Sequence, residues 1–430
     1  MSKAGINQDD SRTHNRELIL KYIKQHPRIT RANLANLSGL SKPAITKITN
    51  DLLSLDFIIE DKKGDSRNKG LIFREGIYFC VSLYLSRLSI TGAIYDIAGN
   101  RVIKERLPKG ITFYDNDNLI YDIKELIAIL LKKSHISLNS ILALGIAAPG
   151  GSSSKTGSGY FSASSVYSGA AEIPFNWNKI QLVEYLEETT GLPVFLEDNS
   201  NLCALAENWF GKGLDVKNFI QYSVGLGIGA GAILDGELVT GSRGISLEIG
   251  HTTVNLYGEK CFCGNRGCLE TEAGFRKLVD MFYGYSTEYD SETTVSKTAE
   301  IFNRFSQEDP DAVKAVREHA YRIATGAVTL INLFGPEKLI ISTNDAEDIP
   351  FHSIIKDIEY FIRKHVHPLF ANALQIEYSG LGDDIHLLGA YALILRRLYS
   401  LILQKRRNDF KVTRSTDKAC VKTSSQFRFE

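Results

Sequence analysis

The stretch "LEIGHTTVNLYGEKCFCGNRGCLE", residues 247–270, holds a histidine and three of the chain's six cysteines. His251, Cys261, Cys263 and Cys268 offer one imidazole and three thiolates. A closed Cys₃His set suits tetrahedral zinc and leaves no position open for water, so it reads as a structural rather than a catalytic metal site. Gly264 and Gly267 allow the loop to turn sharply enough for three sulfurs to converge. Four ligand-type residues at this spacing rarely fall together by chance, which argues against reduced thiols in an ordinary loop. Cys80, Cys203 and Cys420 are isolated along the chain and imply no disulfide framework.

Outward from this loop, strand-like and helix-like stretches alternate. "YFCVSLYLSRLSITGAIYDIAGN" (78–100) reads as strands joined by tight turns, "DNLIYDIKELIAILLKKS" as an amphipathic helix, and "ILALGIAAPGG" as a buried strand entering a Gly/Pro turn. "LPVFLEDNSNLCALAENWFGKG" reads as strand, polar turn and helix, and "FIQYSVGLGIGAGAILDGELV" as a strand pair around a Gly-rich bend. The body is therefore α/β, with no exact internal repeat. At 430 residues, with 43% hydrophobic and 23% charged residues, the chain has the make-up of a soluble protein of two or three domains. It carries no apolar run of the ~18 residues that a membrane span needs. "MSKAGINQDDSRTHNREL" lacks the apolar core of a secretory signal, so a cytoplasmic protein is expected.

Net charge is zero but unevenly placed. Residues 11–75 carry 13 Lys/Arg against 7 Asp/Glu, and residues 405–430 carry 8 against 3. A basic end on a neutral protein suggests a nucleic-acid module, although charge alone fits a solvated surface as well. The pattern adds weight. "NRELILKYIKQHP" places Leu18, Ile19, Tyr22 and Ile23 on one helical stripe ended by Pro27. A short second helix follows, with Thr30 as N-cap and Leu34 and Leu37 inward, and then a turn at Gly39. The third helix has Ser41 as cap, Pro43 in its first turn and an apolar stripe of Ile45, Ile48, Leu52 and Leu55. Its other face shows Lys42, Ala44, Thr46, Lys47 and Asn50. That order suits a helix-turn-helix whose second member enters the major groove. "FIIEDKKGDSRNKGLIF" reads as a wing, with Lys62, Lys63, Arg67 and Lys69 facing phosphate or the minor groove. Ser41 and Arg31 join the candidate DNA contacts. The competing reading is a three-helix bundle with a hairpin that binds protein.

The quoted loop resembles the signature of the ROK family (repressors, open reading frames, kinases): a Gly-Glu-x-Gly-His stretch, then Cys-x-Cys-Gly-x-x-Gly-Cys-x-Glu. The resemblance covers roughly residues 15–395 and includes the repressor-type winged helix that the family's sugar kinases lack. It implies a two-lobed actin-like (ribonuclease H-like) fold with a structural zinc loop and a sugar cleft. Glu248, His251 and Glu270 would face sugar hydroxyls, with Gly150, Asp198 and Asn199 nearby. Carboxylates accept hydrogen bonds from vicinal diols, which gives that role a chemical reason. Taken alone, Glu248 or Glu270 fits equally well a surface position or one beside the metal ligands.

Kinase chemistry is not expected. Where the family's first phosphate loop reads Asp-x-Gly-Gly-Thr, Tyr84, Ser86, Arg87 and Leu88 stand here. Leu226 replaces the hydroxyl residue of the second loop, "GLGIG", and Thr343, Asn344 and Asp345 stand where a Gly-Gly pair belongs. The family's Glu-Asn-Asp-x-Asn is "EDNSN", so Asp198 takes the Asn position and Asn199 that of the base. An amide does not accept a proton at neutral pH, and no catalytic residue is assigned. Leu247 stands where the family has Gly before Glu248.

The expected organisation is a flexible 1–14, a winged helix-turn-helix over 15–76, lobes at 77–191 and 192–404, and a basic, disordered tail at 405–430. The expected function is a DNA-binding regulator, a repressor of carbohydrate genes. It is read as a homodimer or pair of dimers on a pseudo-palindromic operator, controlled by a sugar. Two alternatives stay open: an ATP-dependent sugar kinase with a fused DNA-binding domain, and a regulator held by a phosphotransferase-system protein.

Overall fold

Three helices open the chain: α1 (Gln8–Gln25), α2 (Arg31–Ser38) and α3 (Lys42–Ser54). The computed structural model describes residues 8–61, 69–108, 116–149, 182–241, 247–284, 290–343 and 349–401. Thr30 caps α2 by accepting the Asn33 N–H, and Ser41 caps α3 by accepting that of Ala44. Ile45, Ile48, Leu52 and Leu55 are buried, as their spacing requires. Antiparallel β1 (Ile58–Glu60) and β2 (Leu71–Phe73) form the stem of the wing.

Two expectations fail in this region. Helix α1 begins at Gln8, inside the segment read as flexible, and Leu37 is 48% exposed. Leu20, off the expected stripe, is buried. A single stripe was the wrong template, because α1 contacts α2 and β2 in the head and also a helix of the body. One apolar cluster therefore runs from Ile19, Leu34 and Leu52 to Tyr391 and Leu398.

The body is built on two mixed sheets. The first holds β3 (Phe79–Leu85), β4 (Ile90–Asp96), β5 (Arg101–Leu107), β6 (Ile141–Ala148) and β7 (Val194–Asp198), ordered β5-β4-β3-β6-β7. The second holds β8 (Phe219–Val224), β9 (Ile228–Leu234), β10 (Glu237–Leu238), β11 (Lys338–Thr343) and β12 (Gln375–Tyr378), ordered β10-β9-β8-β11-β12. Counted within each sheet, both orders are 3-2-1-4-5, with the first three strands antiparallel and the last two added in parallel. The duplication lies in the pairing order, where residue identity does not reveal it.

Helices α4 (Asn116–Ser134) and α5 (Leu182–Thr190) close an apolar cluster with the first sheet. Each sheet's last strand leads to a helix that packs on the other sheet. Helix α6 (Asn199–Phe210), after β7, lies on β8 and β9. The second lobe continues with α7 (Leu269–Ala273), α8 (Phe275–Tyr283), α9 (Ser291–Ser306), α10 (Pro310–Phe334), α11 (Ile355–His365) and α12 (Pro368–Ala371). Finally α13 (Ile385–Leu395), after β12, lies on β3 and β6 and crosses α6. The expected lobe boundary at 191/192 thus does not follow the sheets: β7 pairs with β6 in the first sheet. Sequence spacing places a strand but not its partner. Among the described residues no helix is long and apolar enough to cross a membrane.

Candidate functional site

The metal-type loop begins at a short helical turn, Ile249–His251, and ends at Cys268, which leads into α7. Isolated bridges between Thr253 and Cys268 and between Lys260 and Arg266 fold the loop back on itself. Gly267 has φ of 60°, and a Cβ there would stand 1.6 Å from the Asn255 carbonyl oxygen, so only glycine fits. His251, Cys261, Cys263 and Cys268 bring their ligand atoms within 4.8 Å of one another. Cys263 Sγ lies 3.6 Å from Cys268 Sγ, and Cys261 Sγ 3.7 Å from His251 Nδ1. A tetrahedral zinc with Zn–S of about 2.3 Å and Zn–N of about 2.0 Å separates its ligand atoms by roughly 3.5–3.8 Å, so the donor set fits that ion. Burial, and then the neighbouring Cys263 thiol, push the Cys268 thiol up to about 11, and burial raises that of Cys261 further.

Of the residues expected to face a sugar, Asp198, Glu248, His251 and Glu270 lie near enough to act on one another electrostatically. Asp198 ends β7 and caps α6: one carboxylate oxygen accepts the N–H groups of Ser200 at 2.8 Å and Asn201 at 3.4 Å. One of its carboxylate oxygens is therefore committed to the helix. Among the described residues the buried amide oxygen of Asn199 has no hydrogen-bond partner. Glu248 follows Leu247, whose φ of 55° puts a leucine in backbone space that glycine occupies without strain. Burial raises the Glu248 carboxyl, with His251 opposing the rise and Glu270 adding to it. Gly150, Asn344 and Asp345 lie outside the described residues.

Glu270 is contacted from both lobes. Its Oε2 accepts the Ile228 N–H at 3.1 Å, and its Oε1 lies 3.4 Å from Arg87 of the other lobe. The Arg87 guanidinium also lies 5.7 Å from the centre of the Phe262 ring, which meets the His251 ring edge-on at 5.2 Å. Sequence reading marked Arg87 only as an intruder in a phosphate loop. No sequence signal pairs it with a carboxylate 183 positions away.

The Asp198 carboxyl is pushed up to about 7, chiefly by burial and then by Glu248. An unfolded Asp titrates near 3.9, so between about pH 4 and 7 the folded chain holds the extra proton. Stability contributed here therefore falls as pH rises through that window. Asn caps helices as well as Asp does. Asp198→Asn is accordingly expected to melt with the wild type at pH 4 and above it at pH 7.5; a constant difference across a pH series of melts would refute the assignment.

In the head, Ser41, Lys42, Thr46, Lys47 and Asn50 are exposed, and Ala44 is half-buried. Arg31, also a candidate DNA contact, is half-buried, pairs with Glu60 at 2.9 Å and donates to Thr49 Oγ1 at 3.0 Å. Lys69 pairs with the same Glu60 at 2.9 Å. Lys62, Lys63 and Arg67 lie outside the described residues.

A winged helix-turn-helix joined to two like-ordered mixed sheets, with a Cys₃His loop next to the Arg87–Glu270 contact between them, defines a two-lobed actin-like protein bearing a DNA-binding type of head. The chain belongs to the ROK family, whose pattern matches residues 81–397. A winged helix-turn-helix DNA-binding pattern matches residues 8–59. The chain is 28% identical over 399 residues to the xylose repressor of Caldicellulosiruptor bescii, covering 90% of this chain and 96% of that one. It is 26% identical over 411 residues to the DNA-binding transcriptional repressor Mlc of Escherichia coli, covering 91% and 95%. The crystal structure of a ROK family transcriptional regulator, a homologue of the Escherichia coli Mlc protein, superposes with a TM-score of 0.73 at 27% identity, covering 92% and 98%.

Proposed function

We propose that this chain is a sequence-specific DNA-binding transcriptional regulator, a repressor of carbohydrate genes, controlled by a sugar or sugar derivative in the cleft beside the metal loop. The observation that carries this reading is helix α6, which runs from the candidate ligand site to the DNA-reading head. Its first residue is Asn199. In its last turn, Asn208 Oδ1 accepts from Lys21 Nζ at 2.8 Å, and the Asn208 carbonyl accepts from Gln25 Nε2 at 2.8 Å. The rings of Trp209 and Phe210 lie under Lys21 and Lys24, 5.9 Å and 5.8 Å from their ammonium groups. Twelve residues span about 18 Å, so a shift of the first turn arrives at α1 through one rigid rod. A sugar that prefers one setting of that rod changes the population of head positions, and nothing more is required of it.

His251, Cys261, Cys263 and Cys268 would hold zinc. A zinc ion supplies a fixed tetrahedral cross-link and no reaction chemistry here, and it would hold α7, and with it Glu270, against the cleft. Asn199 at the base position and the capping duty of Asp198 favour a regulator over a kinase. Two copies of α3, presenting Lys42, Thr46, Lys47 and Asn50, would read the half-sites of a pseudo-palindrome in a cytoplasmic homodimer.

The test is selection of bound genomic fragments by the purified chain, followed by sugar titration of the retained complex. Failure to enrich any fragment would end the reading. Lys47→Ala is expected to weaken the selected operator about ten-fold and to reduce the salt dependence of binding, both read by fluorescence anisotropy. Asn208→Ala is expected to keep sugar-free DNA affinity within about two-fold while flattening the response to sugar. A full response in that variant would remove α6 as the link.

A further inference from the structure

We infer that Glu60 is a positioning residue for DNA recognition: it draws the Arg31 guanidinium and the Lys69 ammonium to one point, so that α2, the recognition helix α3 and the stem of the wing meet a duplex as one rigid surface. The inference rests on the DNA-binding reading above and deepens it.

Glu60 ends β1, and its two oxygens are divided between two elements. Oε1 accepts from Arg31 Nη1 at 2.9 Å, and Oε2 accepts from Lys69 Nζ at 2.9 Å. Arg31 opens α2, and its Nε donates to Thr49 Oγ1 at 3.0 Å. Thr49 is fully buried in α3, where its hydroxyl donates to the Ile45 carbonyl at 2.9 Å, so the acceptor that Arg31 meets has a fixed direction. One path of side chains therefore runs from α3 through Arg31 and Glu60 to Lys69. The backbone supplies the rest of the frame. The Leu71 N–H donates to Ile29 O at 2.9 Å and the Arg28 N–H to Leu71 O at 3.1 Å, which fixes β2 to the segment before α2. Gly70 makes that approach possible, since a Cβ there would stand 2.6 Å from the Arg28 carbonyl oxygen. The Arg31–Glu60 link adds α3 to this frame.

A carboxylate at this place needs a reason. Arg31 and Lys69 are both candidate DNA contacts, and a negative charge between them opposes a polyanion. The pairing nevertheless keeps Glu60 charged: the bonds from Lys69 and then from Arg31 hold its carboxyl below the usual carboxylate range. Stability is a poor reason, because ion pairs this open to solvent contribute little. Orientation is a sufficient one. Phosphate contacts set the register of a protein on its duplex, and they do so only when the cations are held in place. Arg31 spends Nε and Nη1 on the protein, while its Nη2 makes no hydrogen bond among the described residues. The planar fork is thus held on one side and open on the other, which a lysine could not reproduce.

Fluorescence anisotropy of the full chain tests this on two duplexes, the selected genomic fragment and a scrambled duplex of the same length and composition. Glu60→Gln is expected to lower the selected-to-scrambled affinity ratio about ten-fold, with the scrambled duplex bound as well as before or up to about three-fold more tightly. Loss of a repelling charge alone has a different signature, in which both duplexes tighten together at a constant ratio. Glu60→Asp keeps the charge but is one methylene shorter, so it reaches only one of the two cations and should lose part of the ratio. Thr49→Val alters no charge and removes only the acceptor of Arg31; a loss of about three-fold in the ratio is expected, and this variant decides the matter if Glu60→Gln does not fold. A ratio unchanged in either Glu60→Gln or Thr49→Val would overturn the positioning role and leave the DNA reading standing. Failure to select any fragment would overturn both.

Discussion

Cys268→Ser is expected to leave the chain without bound zinc and to lower its melting temperature by about 10 °C. Cys268 is buried, supplies one of four converging ligand atoms and stands immediately before α7. Its neighbours depend on the loop closing, since Thr252 O accepts the Leu269 N–H at 2.9 Å and Gly267 O accepts that of Val254 at 2.8 Å. Losing a structural metal belongs to the short list of changes that cost on the order of 4 kcal/mol or more. In a domain of this size each kcal/mol moves the midpoint by roughly 2–4 °C. Elemental analysis reads the zinc and calorimetry the midpoint. Because α7 carries Glu270, the variant should also lose the proposed response to sugar. One zinc per chain with an unchanged midpoint would remove the loop from its structural role.

Gly389→Val is expected to destabilise the body by about 3 kcal/mol. At the crossing of α6 and α13 the helices approach so closely that a Cβ at 389 would lie 2.2 Å from the Leu202 carbonyl oxygen and 2.8 Å from its Cβ. The first obstacle is backbone, so no rotamer change relieves it and the helices must separate. Overpacking of this kind costs typically 1–3 kcal/mol, and here the disturbed contact joins both sheets. Urea unfolding should show a lower midpoint, whereas Gly236→Ala, in a turn where a Cβ meets nothing within 4 Å, should change it far less despite the positive φ. Equal effects at both positions would mean that the crossing is not tight.

Local rules carried the sequence reading where one element decided its own fate. The caps at Thr30 and Ser41, the stripe from Ile45 to Leu55 and the ligand spacing of the metal loop each depend on neighbours within one turn or one loop. Where a residue had two surfaces to satisfy, the local rule failed. Helix α1 covers the head and the body at once, so its burial exceeds one stripe. Asp198 was matched to a motif position, while the helix that starts beside it claims one of its oxygens first.

The sequence by itself determined that a basic, three-helix winged head precedes an α/β body with a loop of three cysteines and a histidine at metal-ligand spacing. Periodicity, caps and ligand spacing are short-range, and short-range order is written in adjacent residues. Only the tertiary structure decided that the two sheets share one strand order, that α6 and α13 exchange sheets, and that Arg87 meets Glu270. Those facts are pairings between distant segments, set by which surfaces bury each other best, and no spacing along the chain records them.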